Sequence, residues 1–177
     1  MNHISPAWVP QTTYETAPKD SLPIWDQQVN DHGRMTNMKK TLAHSPLALK
    51  VYMEWYPMYD KIVEFVGERA AIIFSHAISS QTDCLICGTF FRRILINWGE
   101  NPDELVLNEE EQLLVDYGRA LSRNNAFVGP EIMQLLRDRY NDQQLVDLTA
   151  FAGIMVATNM FNNALGVSLD EYLFEFT

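Results

Sequence analysis

Prolines and glycines divide this chain into short segments in which apolar residues recur at helical spacing. One segment follows Ser21 and ends at Gly33, and a longer one begins at Pro46. Pro57 lies inside the longer segment and must kink or split it, because proline lacks the N–H group that an interior helical turn uses. Almost no stretch alternates apolar and polar residues as a half-buried strand does. The pattern predicts an all-α fold with mostly short loops.

Length and composition bound the number of domains. A chain of 177 residues, 47% of them hydrophobic, is large enough to bury a core of its own as one globular domain. Three prolines fall within the first twenty residues, where they disfavour a helix. We expect an extended N-terminal arm over residues 1–20 and a single helical domain over residues 21–177.

The N-terminus and the apolar runs bear on cellular location. Residues 1–20 have neither the basic start nor the apolar run of a secretory signal. No apolar stretch approaches the roughly 20 residues that span a bilayer. We therefore expect a cytoplasmic protein that does not bind membranes.

The net charge of −10 is distributed unevenly along the sequence. Residues 1–97 are electrically balanced, whereas residues 98–177 carry 14 acidic and 4 basic side chains. An acidic half repels phosphate groups, which argues against nucleic acid and anionic membrane surfaces as partners.

Both cysteines lie in one short segment, TDCLICGTFFRRIL, at residues 82–95. Cys84 and Cys87 are three positions apart, so they lie on one face of a helix. Thr82 or Asp83 is the expected N-cap of that helix. In the first turn the helix dipole lowers the pKa of the Cys84 thiol, although the negative charge of Asp83 opposes this. A redox-active pair and two small packing residues fit this pattern equally well.

Other uses of a C-x-x-C pattern fit this sequence less well. A structural zinc site takes four ligands, and only two cysteines are present. The histidines show no paired ligand spacing; they are His3, His32, His44 and His76. A c-type haem needs a histidine directly after the second cysteine, where this chain has Gly88, and a thioredoxin-like site needs a preceding strand. We therefore expect a helical dithiol without metal or cofactor.

The residues around the cysteines are similar to those of a known superfamily. The stretch SHAISSQTDCLICGTFF resembles the C-x-x-C helix and its lead-in in the alkylhydroperoxidase D-like (AhpD-like), or carboxymuconolactone decarboxylase, superfamily. MTNMKKTLAHSPLALKVYMEW resembles the helices that precede that motif, and ATNMFNNALGV resembles its closing element. The resemblance covers about residues 33–170. It implies an AhpD-like helical bundle with the C-x-x-C at the start of a central helix.

Two positions depart from the superfamily's pattern. Its glutamate, twelve residues before the first cysteine, is Ile72 here, and its histidine, four residues after the second cysteine, is Phe91. His76 lies one helical turn beyond Ile72, and an imidazole ionises near neutrality, so His76 is a candidate base for the thiols. A hydrogen-bonded core histidine is the alternative interpretation, and Glu68 is a weaker candidate base.

The resemblance implies a thiol-dependent peroxidase or disulfide reductase. In that chemistry peroxide would oxidise Cys87 and Cys84 would resolve the product, with a lipoyl-bearing or thioredoxin-type partner as reductant. The resemblance also implies a homo-oligomer, a hexamer or a trimer, whose interface buries part of the first helices.

Two alternatives stay open. Loss of the glutamate and histidine leaves room for a non-enzymatic or redox-sensing oligomer that binds a small apolar ligand. Carboxymuconolactone-type lactone or decarboxylation chemistry is the second alternative, although that branch generally lacks the C-x-x-C.

Two further groups of residues have structural and functional interpretations. Asn159 and Asn163 share a helical face, and we expect them to hydrogen-bond a neighbouring helix rather than a ligand. A cluster of aromatic and methionine residues is expected in the core or at a subunit interface rather than around an apolar pocket. It comprises the WYPMYD segment (residues 55–60), Met38, Met53 and Phe65.

Overall fold

The computed structural model describes residues 7–123 and 125–177. Nine α-helices and no β-strand occur within these described residues, which confirms the predicted all-α fold. The helices are α1 (Leu22–His32), α2 (Asn37–Leu42), α3 (Pro46–Met53), α4 (Trp55–Val66), α5 (Glu68–Gln81), α6 (Leu85–Asn97), α7 (Glu109–Leu121), α8 (Pro130–Arg139) and α9 (Asp142–Leu165). Two short 3₁₀-helices, Lys19–Ser21 and Glu171–Phe176, lie near the ends of the chain.

The predicted helical segment that begins at Pro46 is split in two, in agreement with the position of Pro57. Helix α3 ends at Met53 and α4 begins at Trp55, with Glu54 between them. Pro57 therefore lies in the first turn of α4, where its missing N–H group leaves no helical hydrogen bond unmade. The split turns the chain at the aromatic cluster.

Helix α5 is the central element of the main core. It packs against α4, α6, α7 and α9, and its Ile73, Phe74 and Ile78 side chains are almost fully buried. The contact with α7 is close enough to require glycine. A β-carbon at Gly118 would lie 3.0 Å from side-chain carbons of Phe74 and Ile78. Helix α5 is apolar on most of its sides, and nine of its 14 residues are buried.

The first three helices form a smaller hydrophobic cluster around Trp25 and Leu49. The structure describes residues 7–20 of the predicted N-terminal arm: residues 7–18 contain no helix or strand, and the last two belong to the 3₁₀-helix Lys19–Ser21. The arm hydrogen-bonds to α2 through the Thr12 backbone and to the end of α9 through the Trp8 backbone. The boundary between the arm and the helical domain stays a prediction.

Helix α9 corrects one expectation drawn from the sequence. Among the described residues it alone is long and apolar enough to cross a membrane, with 24 residues and a mean hydropathy of 1.3 over an 18-residue window. The sequence analysis found no such stretch, because polar residues interrupt this one. Its Leu148, Phe151 and Met155 side chains are buried in the main core beside α4 and α5.

Candidate active site

The helix that carries the cysteines begins one residue later than its sequence suggests. Cys84 is the N-cap of α6, and its Sγ atom accepts a hydrogen bond from the backbone N–H of Cys87 (3.4 Å). Asp83, just before it, has a left-handed backbone conformation with φ of +50°. The expectation that Thr82 or Asp83 caps this helix is therefore wrong, because the thiol takes the position that Ser or Asp oxygens usually take.

The two thiols are free and lie within hydrogen-bonding reach of each other. The hydrogen bond from the Cys87 thiol lowers the pKa of Cys84, and the backbone N–H groups of Cys87 and Ile86 lower it further, against the effect of burial. The same thiol–thiol hydrogen bond, followed by burial, raises the pKa of Cys87 well above its usual value. Of the two, Cys84 ionises first.

Asn162 is the side chain that joins the two sulfurs to α9. Its Nδ2 atom lies 3.3 Å from Cys87 Sγ and 3.9 Å from Cys84 Sγ, and the residue is only 2% exposed. The amide donates to sulfur, which favours a thiolate over a thiol at either cysteine. The sequence analysis did not identify Asn162, although it lies three residues beyond Asn159 in the same segment.

The neighbouring asparagines have the structural role predicted for them. Asn159 Nδ2 donates to Thr82 Oγ1 (2.8 Å), and Asn163 Nδ2 donates to the Thr82 carbonyl (3.0 Å). These bonds tie α9 to the turn that precedes Cys84. The predicted hydrogen bonds to a neighbouring helix are present, since Thr82 is the C-cap of α5.

The structure does not bring His76 together with the cysteines. The charged groups that act on its ring are Arg92, Asp103 and Arg119, and burial followed by Arg92 lowers its pKa. Among the described residues, the side chain that donates to Cys84 or Cys87 from another helix is Asn162, and His76 does not line the cavity next to Cys87. Its role as a base stays a prediction that this geometry does not support.

Ile72 and Phe91, which replace the superfamily's glutamate and histidine, are buried in an apolar environment. Ile72 and Phe91 are 3% and 2% exposed and belong to the same hydrophobic core as the two cysteines. Neither can donate or accept a proton. Backbone N–H groups and the Asn162 amide are therefore the polar groups that the described residues supply at the sulfurs.

Cys87, but not Cys84, lines a cavity of about 110 Å³. An apolar cavity of roughly 150 Å³ binds benzene. By that comparison, this cavity can hold a molecule about the size of one aromatic ring. Much of its wall is apolar: Met38, Met53, Trp55, Ile86, Phe90, Phe91 and Met155. The aromatic and methionine cluster was expected in the core or an interface; it does pack in the two hydrophobic clusters, and part of it also lines this cavity. Phe65 does not, because it packs against Tyr140.

Another part of the cavity wall is polar, and the sequence analysis did not identify it. It consists of Lys39 on α2, Tyr56 on α4, and Asp170 and Tyr172 near the C-terminus. Lys39 is 3% exposed, and its burial lowers its pKa to about 8. Burial likewise raises the pKa of Asp170. Residues more than 100 positions apart meet here, so no local sequence signal could have grouped them.

A metal centre has no candidate ligand set in the part of the chain that the structure describes. No three or more His, Cys, Asp or Glu side chains there are grouped so that they could hold an ion.

No protein-family model and no curated protein matches this sequence. Solved structures do resemble it in fold. A peroxidase-related protein with an alkylhydroperoxidase AhpD core from Ralstonia eutropha superimposes with a TM-score of 0.75, at 17% identity and 96% coverage of both chains. The debrominase Bmp8 superimposes with a TM-score of 0.78, at 15% identity over 98% of this chain and 97% of Bmp8.

A complex is also among the similar structures. It holds a cysteine-to-alanine variant of Bmp8 with 2,3,4-tribromopyrrole, and it covers 95% of this chain at 16% identity with a TM-score of 0.78. At these identities the likeness establishes the fold, and the sequence resemblance around the C-x-x-C had predicted the same one. This chain has the alkylhydroperoxidase D-like fold, with its two cysteines at the start of a central helix.

Proposed function

We propose that this protein is a thiol-dependent oxidoreductase in which Cys84 and Cys87 reduce a small oxidised substrate and become a disulfide within one chain. The observation that carries the proposal is the contact of two free thiols with each other and with Asn162, beside a cavity of ring size. Peroxides are the first substrate class to test, because a thiolate reduces them without metal or cofactor.

The two cysteines have different parts in this proposal. Cys87 attacks the substrate, because it lines the cavity and Cys84 does not. The pKa of Cys84 is lowered and that of Cys87 is raised, so the Cys84 thiolate accepts the Cys87 proton along their hydrogen bond. Cys84 thereby acts as the base that Ile72 and Phe91 cannot provide.

The reaction with a hydroperoxide balances in two steps. The Cys87 thiolate attacks the O–O bond and becomes a sulfenic acid, and the departing alkoxide takes the proton from Cys84. The Cys84 thiolate then attacks the Cys87 sulfur, and hydroxide leaves and is protonated by solvent. Two electrons from the thiols have reduced the peroxide to an alcohol and water, and the cysteines form a disulfide.

A single-turnover assay tests this function. One equivalent of cumene hydroperoxide per reduced chain should be consumed by the wild type, and none by Cys87→Ser. Cys84→Ser should consume peroxide slowly and leave an oxidised thiol without a disulfide. Equal consumption by all three proteins would contradict the proposal. A positioned base contributes about 10²–10⁴-fold in rate. We expect slow turnover here, because the Cys84 thiol takes the place of such a base.

Reduction of a halogenated aromatic ring is a second candidate. The aromatic lining of the cavity favours it, and the debrominase Bmp8 shares the fold. The same two electrons would release halide, the ring carbon would take a proton, and the cysteines would close the disulfide. Free bromide measured after mixing reduced protein with 2,4,6-tribromophenol tests this reaction. Bromide release with no peroxide consumption would favour this candidate over the first.

Turnover requires a reductant that reopens the disulfide. A lipoyl-bearing or thioredoxin-type protein remains our proposal for that role, since both present a dithiol that can exchange with a buried disulfide. If neither a disulfide nor substrate loss is observed, a non-enzymatic oligomer that binds an apolar ligand becomes the better account.

A further inference from the structure

The cavity beside Cys87 contains a buried positive charge that the thiol chemistry does not use. Lys39 lies on α2 and lines the cavity with 97% of its surface buried, being 3% exposed. Removing most of the water around an ammonium group is costly unless the group is paired with an opposite charge. A lysine in this position therefore needs a partner or a function.

The described residues compensate only partly for the water that the Lys39 ammonium group loses. No oxygen atom among them accepts a hydrogen bond from Lys39 Nζ, and no carboxylate lies within ion-pair distance. The Tyr56 ring lies 4.9 Å from Nζ in a cation–π contact. Asp170 attracts Lys39 from further away, while its Oδ1 atom accepts a hydrogen bond from the Asn37 backbone (2.9 Å). The ammonium group thus has donors to spare at a cavity wall.

The remaining lining indicates which ligand would use those donors. Trp55, Phe90 and Met155 offer an apolar space of ring size, and Cys87 lies in the same wall. Asp170 lies in the same wall, and its negative charge disfavours a ligand whose charge is localised, such as a carboxylate. A ring with an acidic hydroxyl group spreads its negative charge over the ring and costs less to desolvate.

We propose that Lys39 anchors the substrate, and that the cavity binds a small phenol-type ring whose ionised hydroxyl contacts the Lys39 ammonium group while the ring lies beside Cys87. The choice of substrate class rests on the proposed thiol function, but the binding itself does not require turnover. Lys39 is a binding residue in this account, and Cys87 the residue that reacts.

Equilibrium binding of two matched probes tests the anchor. 4-Nitrophenol absorbs visible light as the phenolate, so its spectrum reports the form that binds, and 4-nitroanisole has the same ring but no acidic hydrogen. We expect reduced wild-type protein to bind 4-nitrophenol at least about tenfold more tightly than 4-nitroanisole, and as the phenolate. Benzoate should bind more weakly than 4-nitrophenol.

Substitutions distinguish a specific effect of Lys39 on binding from a general effect of removing a lysine. Lys39→Met should abolish the preference for 4-nitrophenol and change the affinity for 4-nitroanisole less than about twofold. Lys50→Met, at an exposed lysine on α3 outside the cavity, is the matched control and should bind like the wild type. Asp170→Asn keeps the oxygen that accepts from Asn37 and removes a negative charge, so it should tighten phenolate binding.

Three outcomes would overturn the proposal: equal affinities for the two probes in the wild type, an unchanged preference in Lys39→Met, or tighter binding of benzoate. Lys39→Met removes a desolvated charge and should fold, which its thermal midpoint checks. If it does not fold, the probe comparison in the wild type and in Asp170→Asn still decides. If the wild-type protein shows no redox activity but keeps the binding preference, the proposed function is refuted and the proposed binding role of Lys39 is not.

Discussion

Asn162 on α9 donates its side-chain amide to Cys87 Sγ across 3.3 Å, and the same Nδ2 atom lies 3.9 Å from Cys84 Sγ. One buried amide therefore contacts both sulfurs of the pair. Because it can only donate to them through nitrogen, it favours whichever cysteine is a thiolate. This contact connects the C-terminal helix of the fold to the reactivity of the dithiol.

Removing that amide should make the pair harder to ionise. We predict that Asn162→Leu raises the pKa of the first thiol to ionise and slows its alkylation by iodoacetamide at neutral pH about tenfold, since a hydrogen bond to a charged group contributes about 1.5–3 kcal/mol. Asn163→Leu is the control, because Asn163 donates to the Thr82 carbonyl and not to sulfur. Overlapping alkylation rate–pH curves for Asn162→Leu and wild type would refute the prediction.

His76 should have no part in thiol ionisation. Its ring is surrounded by the charges of Arg92, Asp103 and Arg119, and it makes no hydrogen bond to sulfur among the described residues. We predict that His76→Ala and His76→Gln leave the alkylation rate of the cysteines unchanged within about twofold from pH 6 to 9. A tenfold loss in both variants would restore His76 as the base and contradict the placement of its ring.

Lys39 should make stability depend on pH in a defined direction. Burial lowers its pKa from 10.5 to about 8, so between these values the unfolded chain binds more protons than the folded one. Stability then rises with pH, and raising the pH through this window should add up to about 3 kcal/mol to the free energy of unfolding. The slope should disappear in Lys39→Met and persist in Lys50→Met, as measured by urea unfolding at pH 7.5, 8.5 and 9.5. Equal slopes in all three proteins would show that Lys39 is hydrated.

The sequence predicted the parts of this fold that depend on local signals. The split before Pro57, the buried α5 and the end of α1 at Gly33 follow from single residues or from periodicity over one helix.

The candidate site was predictable only in its two cysteines. Asn162, Lys39 and Asp170 reach it through packing between distant segments, which periodicity in one segment cannot show. His76 illustrates a different limit. Its spacing from Ile72 places it on the same helical face, but spacing does not show which groups the ring meets. In the structure, burial and the charges of Arg92, Asp103 and Arg119 act on it. Glu111 lies in an acidic first turn, yet it is buried, caps α7 with Asn108 and pairs with Arg69.

An exposed apolar stripe on α9 supports the proposed homo-oligomer. Val146 and Met160 are 65% and 63% exposed, and Ala150 and Gly153 lie exposed between them at helical spacing. We predict that wild-type protein scatters light as a trimer or hexamer of the 20.4 kDa chain. Met160→Glu should reduce the assembly, because burying an unpaired charge is costly. Val106→Glu, at an exposed apolar residue between α6 and α7, is the control. A 20.4 kDa wild-type particle would refute the oligomer.

The most direct test of the redox account is the intact mass and peptide map of each chain after brief treatment with one equivalent of hydroperoxide. The account predicts the loss of two hydrogens per chain, a disulfide that joins Cys84 to Cys87 within one chain, and full return of the mass after reduction. An unchanged mass, a disulfide between chains, or a stable sulfinic acid at Cys87 would contradict it.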